Sequence, residues 1–514
     1  MKNLDLTNCD KEQIHLISSV QGHGALVAVT PLDMKIRHIS ENFLSFIERS
    51  EDSHLFVGSK LSEILPHDLV VKLQSKIRSL PVQSPPVSLT WGSFDIYLYM
   101  LKENLFAIEF ENLGAVREDF DSQSVMQSYL TNMSKAKSVK ELSFISCKTI
   151  RELTGFDRVM LYRFWAPSWD GEVTAEDKNV GAHSFMGHRF PASDIPKPAR
   201  DLYLKNQVRQ ICDSHERSYL IYPQKTDEKE ALDFSNSRLR AVSLVHLEYL
   251  KNMKVRGSFS VAVKVEGALW ALIACHSEQP KQVPHSIRAL CDTVANCLAL
   301  SAPAMENALG KNNEIQFYER MLSIFSHLKN SSAPQDELFR MSDEVNNLFH
   351  SHGFALVKDN VVSSIGITPQ IADIKSVAAW TLDQMNESGD PLFVSNSLGR
   401  IDQKWEYLKD HISGIAAVRL SGYDNAVLMF FRPEVLQTIQ WGGDPRKNLD
   451  ARQYQGVINP RTSFETWSEV IRYTSAPWED HEIKGVVQFK ELIFDSLIQT
   501  QNLISELGQK FKKN

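Results

Sequence analysis

Apolar positions alternate in some stretches of the chain and recur every three to four residues in others. Ala25 to Val29, Ile36 to Ile39, Val87 to Trp91, Phe94 to Met100 and Leu105 to Phe110 read as strands. Ser40, with Phe43, Leu44, Phe46 and Ile47 after it, predicts a short helix with a serine N-cap, and Leu65 to Ile77 a second helix. Residues 118–152 read as a long helical stretch, broken at Ala136-Lys137-Ser138. Phe156 to Phe164 is a strand, and 167–185 is rich in turn residues. Ala199 to Arg209 reads as a helix after Pro198. His215 to Asn236 is polar, and Leu239 to Met253 is a helix or a loop and helix. Val255 to Val265 and Ala268 to Cys275 are strands, the first with Ser258, Ser260 and Ala262 on one face. In the second, His276 falls in phase with Ala274, Leu272 and Trp270. A plain two-residue turn at Glu266-Gly267 would set Ser258 and Ser260 opposite His276. A three-residue turn or one bulge would put all three on one face.

The remaining pattern is weaker. Residues 300–320 read as helix, and Phe354 to Val357, Ala416 to Leu420 and Ala426 to Phe431 as strands. Gln440 to Trp467 is a polar insertion punctuated by Gly and Pro, longer than the ~4–6 residues of most loops. Ile493, Leu497, Thr500, Ile504, Leu507 and Phe511 are spaced 4-3-4-3-4, which suits a parallel coiled coil or a helix packed on its own domain.

Composition narrows the class. The 514 residues suit about three domains at ~150 residues each, and 43% hydrophobic residues supply each with a core. A net charge of −7 gives no strong case for nucleic acid. No apolar run approaches the ~20 residues of a membrane span, and the first residues lack the apolar core of a signal peptide. A cytoplasmic location is expected. Of the six cysteines, Cys147, Cys212, Cys275, Cys291 and Cys297 lie in or beside apolar stretches, whereas Cys9 sits in a polar arm, residues 1–22. No Cys-x-x-Cys pair occurs, so neither zinc nor a disulfide framework is indicated.

Candidate chemistry gathers at His188 to Pro196. Pro191 and Pro196 stiffen this loop and leave Ser193-Asp194 at its crest. Singly, each candidate has a plain structural role: Arg209 and Arg240 as solvated charges, His276 as a satisfied core histidine, Tyr162 as a packed aromatic.

Their order carries more. Pro191-Ala-Ser-Asp-Ile-Pro196 resembles the signature loop of phytochrome chromophore domains. Asn8 to His15, Gly155 to Phe164, Val245 to Met253, Leu269 to His276 and Pro460 to Phe464 resemble other segments of that family, in its order. The resemblance covers nearly the whole chain and is strongest to the bacteriophytochromes. It implies an α+β chain of three domains, PAS, GAF and PHY, each a central antiparallel sheet flanked by helices. Long helices join them, and an N-terminal arm is knotted through the GAF domain near Val20. The implied boundaries are 1–22 for the arm, 23–115 for PAS, 116–305 for GAF and 306–495 for PHY with a tongue at about 435–475. Residues 496–514 would form a coiled-coil linker helix.

The resemblance also implies a ligand, biliverdin IXα, a linear tetrapyrrole. Arg209 and Arg240 would take its propionates, helped by the hydroxyls of Tyr203, Ser243, Ser258 and Ser260. His246 would lie over the inner rings and His276 would bond the rotating terminal ring. Tyr162, Phe190 and Tyr249 would wall that ring, and Asp194 and Ile195 would meet the pyrroles from the loop. Val245 stands where plant and cyanobacterial members carry a cysteine, so Cys9 is the expected attachment residue. Gly22 stands where the family has Pro, which is expected to loosen the arm. Asp194 would pair with Arg461 in the dark and with Ser463 after red light. The implied function is a red/far-red photoreceptor converting between Pr and Pfr by D-ring isomerisation, with the tongue refolding to signal. A parallel homodimer through GAF and PHY helices and the stalk is implied. So is a longer natural protein with a histidine kinase or diguanylate cyclase output. The chain itself is not read as an enzyme: Pro445 follows Gly442-Gly443-Asp444 where a cyclase signature needs an acid, and no kinase or nucleotide-binding motif follows residue 500. The competing readings are a light-independent PAS-GAF sensor of another small molecule and a dimerisation scaffold. The hydroxyl-lined strand at 258–262 argues against the scaffold.

Overall fold

Alternation between buried and exposed positions builds three sheets with helices laid against them. The computed structural model describes residues 13–16, 18–80, 86–113, 121–224, 232–331, 334–420, 425–445 and 464–491. Cys9, Arg461, Ser463 and the C-terminal heptads therefore lie outside the described residues. Two compact units are present: Met1–Glu306 with Gln440–Ser468, and Asn307–Ile439 with Glu469–Asn514. No described helix is long and apolar enough to cross a membrane.

The first sheet holds β1 (Ser19–Gln21), β2 (Gly24–Val29), β3 (Ile36–Ser40), β4 (Val87–Trp91), β5 (Phe94–Lys102) and β6 (Leu105–Asn112). Helix His67–Ser79 buries Leu69, Val70, Leu73 and Ile77 on one stripe against it. Ser40 is not a helix cap. It ends β3, fully buried, and its Oγ accepts from the Leu26 amide at 2.9 Å; Asn42 precedes helix Phe43–Phe46.

The second sheet begins with β7 (Arg158–Trp165), β8 (Asp170–Lys178), β9 (His188–Phe190) and β10 (Val208–Ile211). β8 corrects the turn-rich reading of 167–185. Gly171, Val173 and Ala175 are buried while polar residues between them face outward, a period of two carried by small side chains. The helix after the loop is shorter than expected, Lys197–Lys205. Asn206, in extended backbone, ends it, and Arg209 lies on β10 opposite Ser260. Next in the chain, β11 (Ser218–Tyr222) leaves this sheet and enters the first one between β1 and β3. Val20 on β1 is also bridged to Arg240, so the arm has later chain on both sides. The turn at Gly22 is packed, not loose: a Cβ there would meet the side chains of Glu216 and Tyr219. Residues 225–231 lie outside the described residues.

β12 (Gly257–Val265) and β13 (Ala268–Ser277) settle the parity question. Glu266 and Gly267, both with positive φ (50° and 79°), make a two-residue turn, and a bulge follows at Val263/Lys264. Ser258 then pairs with His276 and Ser260 with Ala274, on one face. The same bulge sends Trp270 to the opposite face, against the core of Val261, Ile273 and Leu298, contrary to the phase expected of it. Helices Ser122–Met133 and Val139–Thr154 cover that core, separated at 134–138, with Ser138 capping the second through the Glu141 amide. A 46-residue helix, His285–Asn330, follows.

The second unit holds β14 (Gly353–Lys358), β15 (Val361–Gly366), β16 (Leu392–Ser395), β17 (Gly414–Arg419) and β18 (Ala426–Arg432), in the order β15-β14-β18-β17-β16. Arg432 and Glu482 pair at 2.6 Å inside it, both buried. The insertion contributes β19 (Gln437–Gly442) and β20 (Thr466–Ile471). Gln440 and Trp441 run parallel to His188 and Arg189 of β9, which extends the second sheet.

Candidate functional site

On β12 one face is small and hydroxylated, Ser258 and Ser260, where the opposite face carries Phe259, Val261 and Val263. A cavity of about 300 Å³ lies over the small face. The stiff loop, helix Lys197–Lys205, the 239–243 segment and helix Leu244–Asn252 close it. Its wall includes every described residue expected to contact a ligand: Tyr162, Phe190, Asp194, Ile195, Tyr203, Arg209, Arg240, Ser243, His246, Tyr249, Ser258, Ser260 and His276. The expected ligand contacts do not include Ile14, Met160, Phe185, Leu202, Met253 and Leu272, which form much of the apolar lining, although alternation places Leu272 on the His276 face. For Met160 and Leu272 the signal was present, since each continues the alternation of a named strand.

Two cations sit in this apolar space. Arg209 Nη2 donates to the carbonyls of Arg240 and Ala241 at 2.6 and 3.2 Å. Neither Arg209 nor Arg240 makes an ion pair among the described residues. Burial, and then the like charge of Arg240, pull the Arg209 guanidinium down to about 9. Arg240 is lowered too, chiefly by burial. Tyr203 donates to or accepts from Ser260 at 2.7 Å beside them.

The other end carries imidazoles and aromatics. Burial lowers His246 to about 4 and His276 to about 3, with Arg209 assisting at the first and Arg158 at the second. Both rings are therefore neutral at pH 7 and can donate or accept. His276 Nδ1 has no hydrogen-bond partner among the described residues. The His246 ring lies parallel to Tyr249 at 6.0 Å. Tyr249 donates to Asp194 Oδ2 at 3.1 Å, and Phe464 meets the Tyr249 ring edge-on at 4.9 Å. Asp194 ends a 3-10 turn, Ala192–Asp194, set between the two prolines. The insertion is tied here as well: His188 Nε2 and Thr466 Oγ1 lie 2.7 Å apart.

No cysteine among the described residues lines the cavity; Val245 does. Burial raises Cys147, Cys212, Cys275 and Cys291, which suits packed thiols.

Known proteins match along the chain. The PAS fold family matches residues 9–113, the GAF domain family 138–301 and the phytochrome region family 319–502. Cyanobacterial phytochrome B of Nostoc sp. is 30% identical over 526 residues, covering 99% of this chain and 69% of that protein. The photosensory core module of the Stigmatella aurantiaca phytochrome superposes with a TM-score of 0.77 at 27% identity, covering 97% of this chain and 99% of that one. A bacteriophytochrome from the photosynthetic bacterium R. palustris gives 0.79 at 28% identity, covering 96% and 99%. Domain order, sequence and fold agree along the chain, and it belongs to the phytochrome family of photoreceptors, with the PAS, GAF and PHY domains of a photosensory core module.

Proposed function

We propose that this chain is a red/far-red photoreceptor that holds biliverdin IXα in the cavity, attached through Cys9. The observation that carries this is the Arg209–Arg240 pair, two cations without a carboxylate partner among the described residues, opening into an apolar cavity. Such an arrangement suits a hydrophobic dianion. The unpartnered His276 Nδ1 offers a further polar contact at the other end. When bound, the chromophore supplies light absorption and the Pr–Pfr rotation of its terminal D-ring.

The residues divide the work. Arg209 and Arg240 neutralise the propionates, and Tyr203, Ser243, Ser258 and Ser260 add hydroxyl contacts. His246 governs protonation of the inner pyrroles. His276 holds the terminal ring, and Tyr162, Phe190 and Tyr249 wall it. Asp194 and Ile195 close the loop side. For attachment, five of the six cysteines lie away from the cavity wall. Ile14 is on that wall, and Cys9 is five residues earlier, a reach of up to roughly 17 Å. In the proposed dark state Arg461 pairs with Asp194. In the light state Ser463 takes its place and the tongue passes from strand to helix. The contacts of Phe464 with Tyr249 and of Thr466 with His188 support a tongue that responds to the cavity. The reading extends to PAS 23–115, GAF 116–305 and PHY 306–495, to a parallel homodimer and C-terminal output domain, and to the cytoplasm.

The test is expression with biliverdin, absorption spectra before and after red light, and zinc-induced fluorescence on a denaturing gel. Reversible conversion is expected, with covalent pigment lost in Cys9→Ser. Failure to take up biliverdin would overturn the reading and leave a sensor of another small molecule.

A further inference from the structure

The segment that carries Arg240 is held from another domain. Glu109 lies on β6 of the first sheet, with no exposed surface. Its Oε1 accepts from Tyr99 Oη at 2.8 Å and from Ser237 Oγ. Its Oε2 accepts from the Arg238 amide at 3.0 Å. Ser237 Oγ in turn accepts from the Arg240 amide at 2.8 Å. The carbonyls that anchor Arg209, those of Arg240 and Ala241, belong to the same short segment. One carboxylate thus sets the backbone on which both cavity cations depend, and no ion pair diverts it among the described residues.

We propose that Glu109 is a positioning residue for the carboxylate-binding arginines, fixing residues 237–241 so that Arg209 and Arg240 face a dicarboxylate ligand together. The inference rests on the chromophore reading above. Three groups converge on its two oxygens: the Arg238 amide, which can only donate, on Oε2, and the Tyr99 and Ser237 hydroxyls on Oε1. Burial raises Glu109 to about 7, and the Ser237 and Tyr99 hydroxyls oppose that rise. Gln at this place could keep one oxygen for the Arg238 amide, but it removes the charge and leaves Ser237 Oγ–H and Tyr99 Oη–H without their acceptor. Arg238, Tyr97, His285 and Arg288 lie farther around the same junction and do not touch the ligand cavity.

The experiment uses the full chain carrying Cys9→Ser, so that binding is reversible, and titrates biliverdin and its dimethyl ester. The ester keeps the rings and removes both negative charges. The parent should favour the diacid. Glu109→Gln should weaken diacid binding about tenfold or more, the worth of one charged hydrogen bond, and leave ester binding within about twofold. Ser237→Ala cuts the link between Glu109 and the Arg240 amide, keeps the carboxylate, and should show the same selectivity. It decides the matter if Glu109→Gln does not fold. Equal loss for both compounds would reduce Glu109 to a support of the fold, and unchanged diacid binding in a folded variant would overturn the proposal. A parent that binds neither compound would instead refute the chromophore reading, before any variant is compared.

Discussion

Acid should loosen the second sheet of the ligand-free protein through His276. The ring projects from β13 into the cavity, and burial, Arg158 and His246 lower it from 6.5 to about 3. An unfolded chain takes up this proton near 6.5, the folded one only near 3. Between these values the unfolded state binds more protons, so stability is complete above about 6.5 and falls as pH drops. At about 1.4 kcal/mol per pH unit the whole effect is at most about 5 kcal/mol, and between pH 7.5 and 5 it is about 2 kcal/mol. His276→Gln keeps a polar end and cannot titrate. The variant should therefore gain about 2 kcal/mol relative to the parent over that interval. His23 and Glu109 also titrate unusually, but they are common to both proteins and cancel in the difference, and His246 cancels apart from its coupling to His276, the smallest of the causes acting on that ring. The assay is urea unfolding read by hydrogen exchange in residues 257–277, so that this sheet is followed by itself. A difference between parent and variant that stays flat from pH 7.5 to 5 would refute the argument.

Two further outcomes follow from packing. Arg288 and Glu111 pair at 2.6 Å with both side chains buried, so Arg288→Met should destabilise by about 3–5 kcal/mol by stranding a charge; thermal unfolding of that variant, and recovery in Glu111→Leu/Arg288→Met, checks it. Gly171 sits beneath the Tyr162 ring, where a Cβ would overlap it. Gly171→Ala should push that ring off the cavity wall at about 1–3 kcal/mol, visible as a lower Tm and an altered pigment spectrum.

Much of the site was legible because its residues fall on strands with a clear period. Tyr162, Ser258, Ser260 and His276 were placed on strands by alternation, and the open parity question was decided by one bulge that leaves no mark in composition. Arg209 was assigned to a helix because charged and apolar residues continue a helical phase through Asn206. Pairing with β12 overrides that local preference. β8 was missed because its buried face uses Gly171, Val173 and Ala175, two of them too small to register as apolar. β11 was missed for a different reason. Its partners are β1 and β3, so nothing near it in sequence records that it is a strand.

That remote pairing governs how the protein can be made. Ser19 meets Leu220, and Ser40 meets Ile221, so the first sheet lacks an interior strand until residue 222 has left the ribosome. The nascent chain must keep β1 and β3 apart, with an unpaired edge exposed, while some 180 further residues are synthesised. β2 to β6 can pair among themselves around a core drawn from residues 25–110, whereas β1 has to wait for β11. The GAF region supplies the strand that joins the arm to the PAS sheet, so this junction is expected to become native late. Cutting the chain between β6 and β7 would therefore leave a first half in which β1 and the edge of β3 have lost the strand between them.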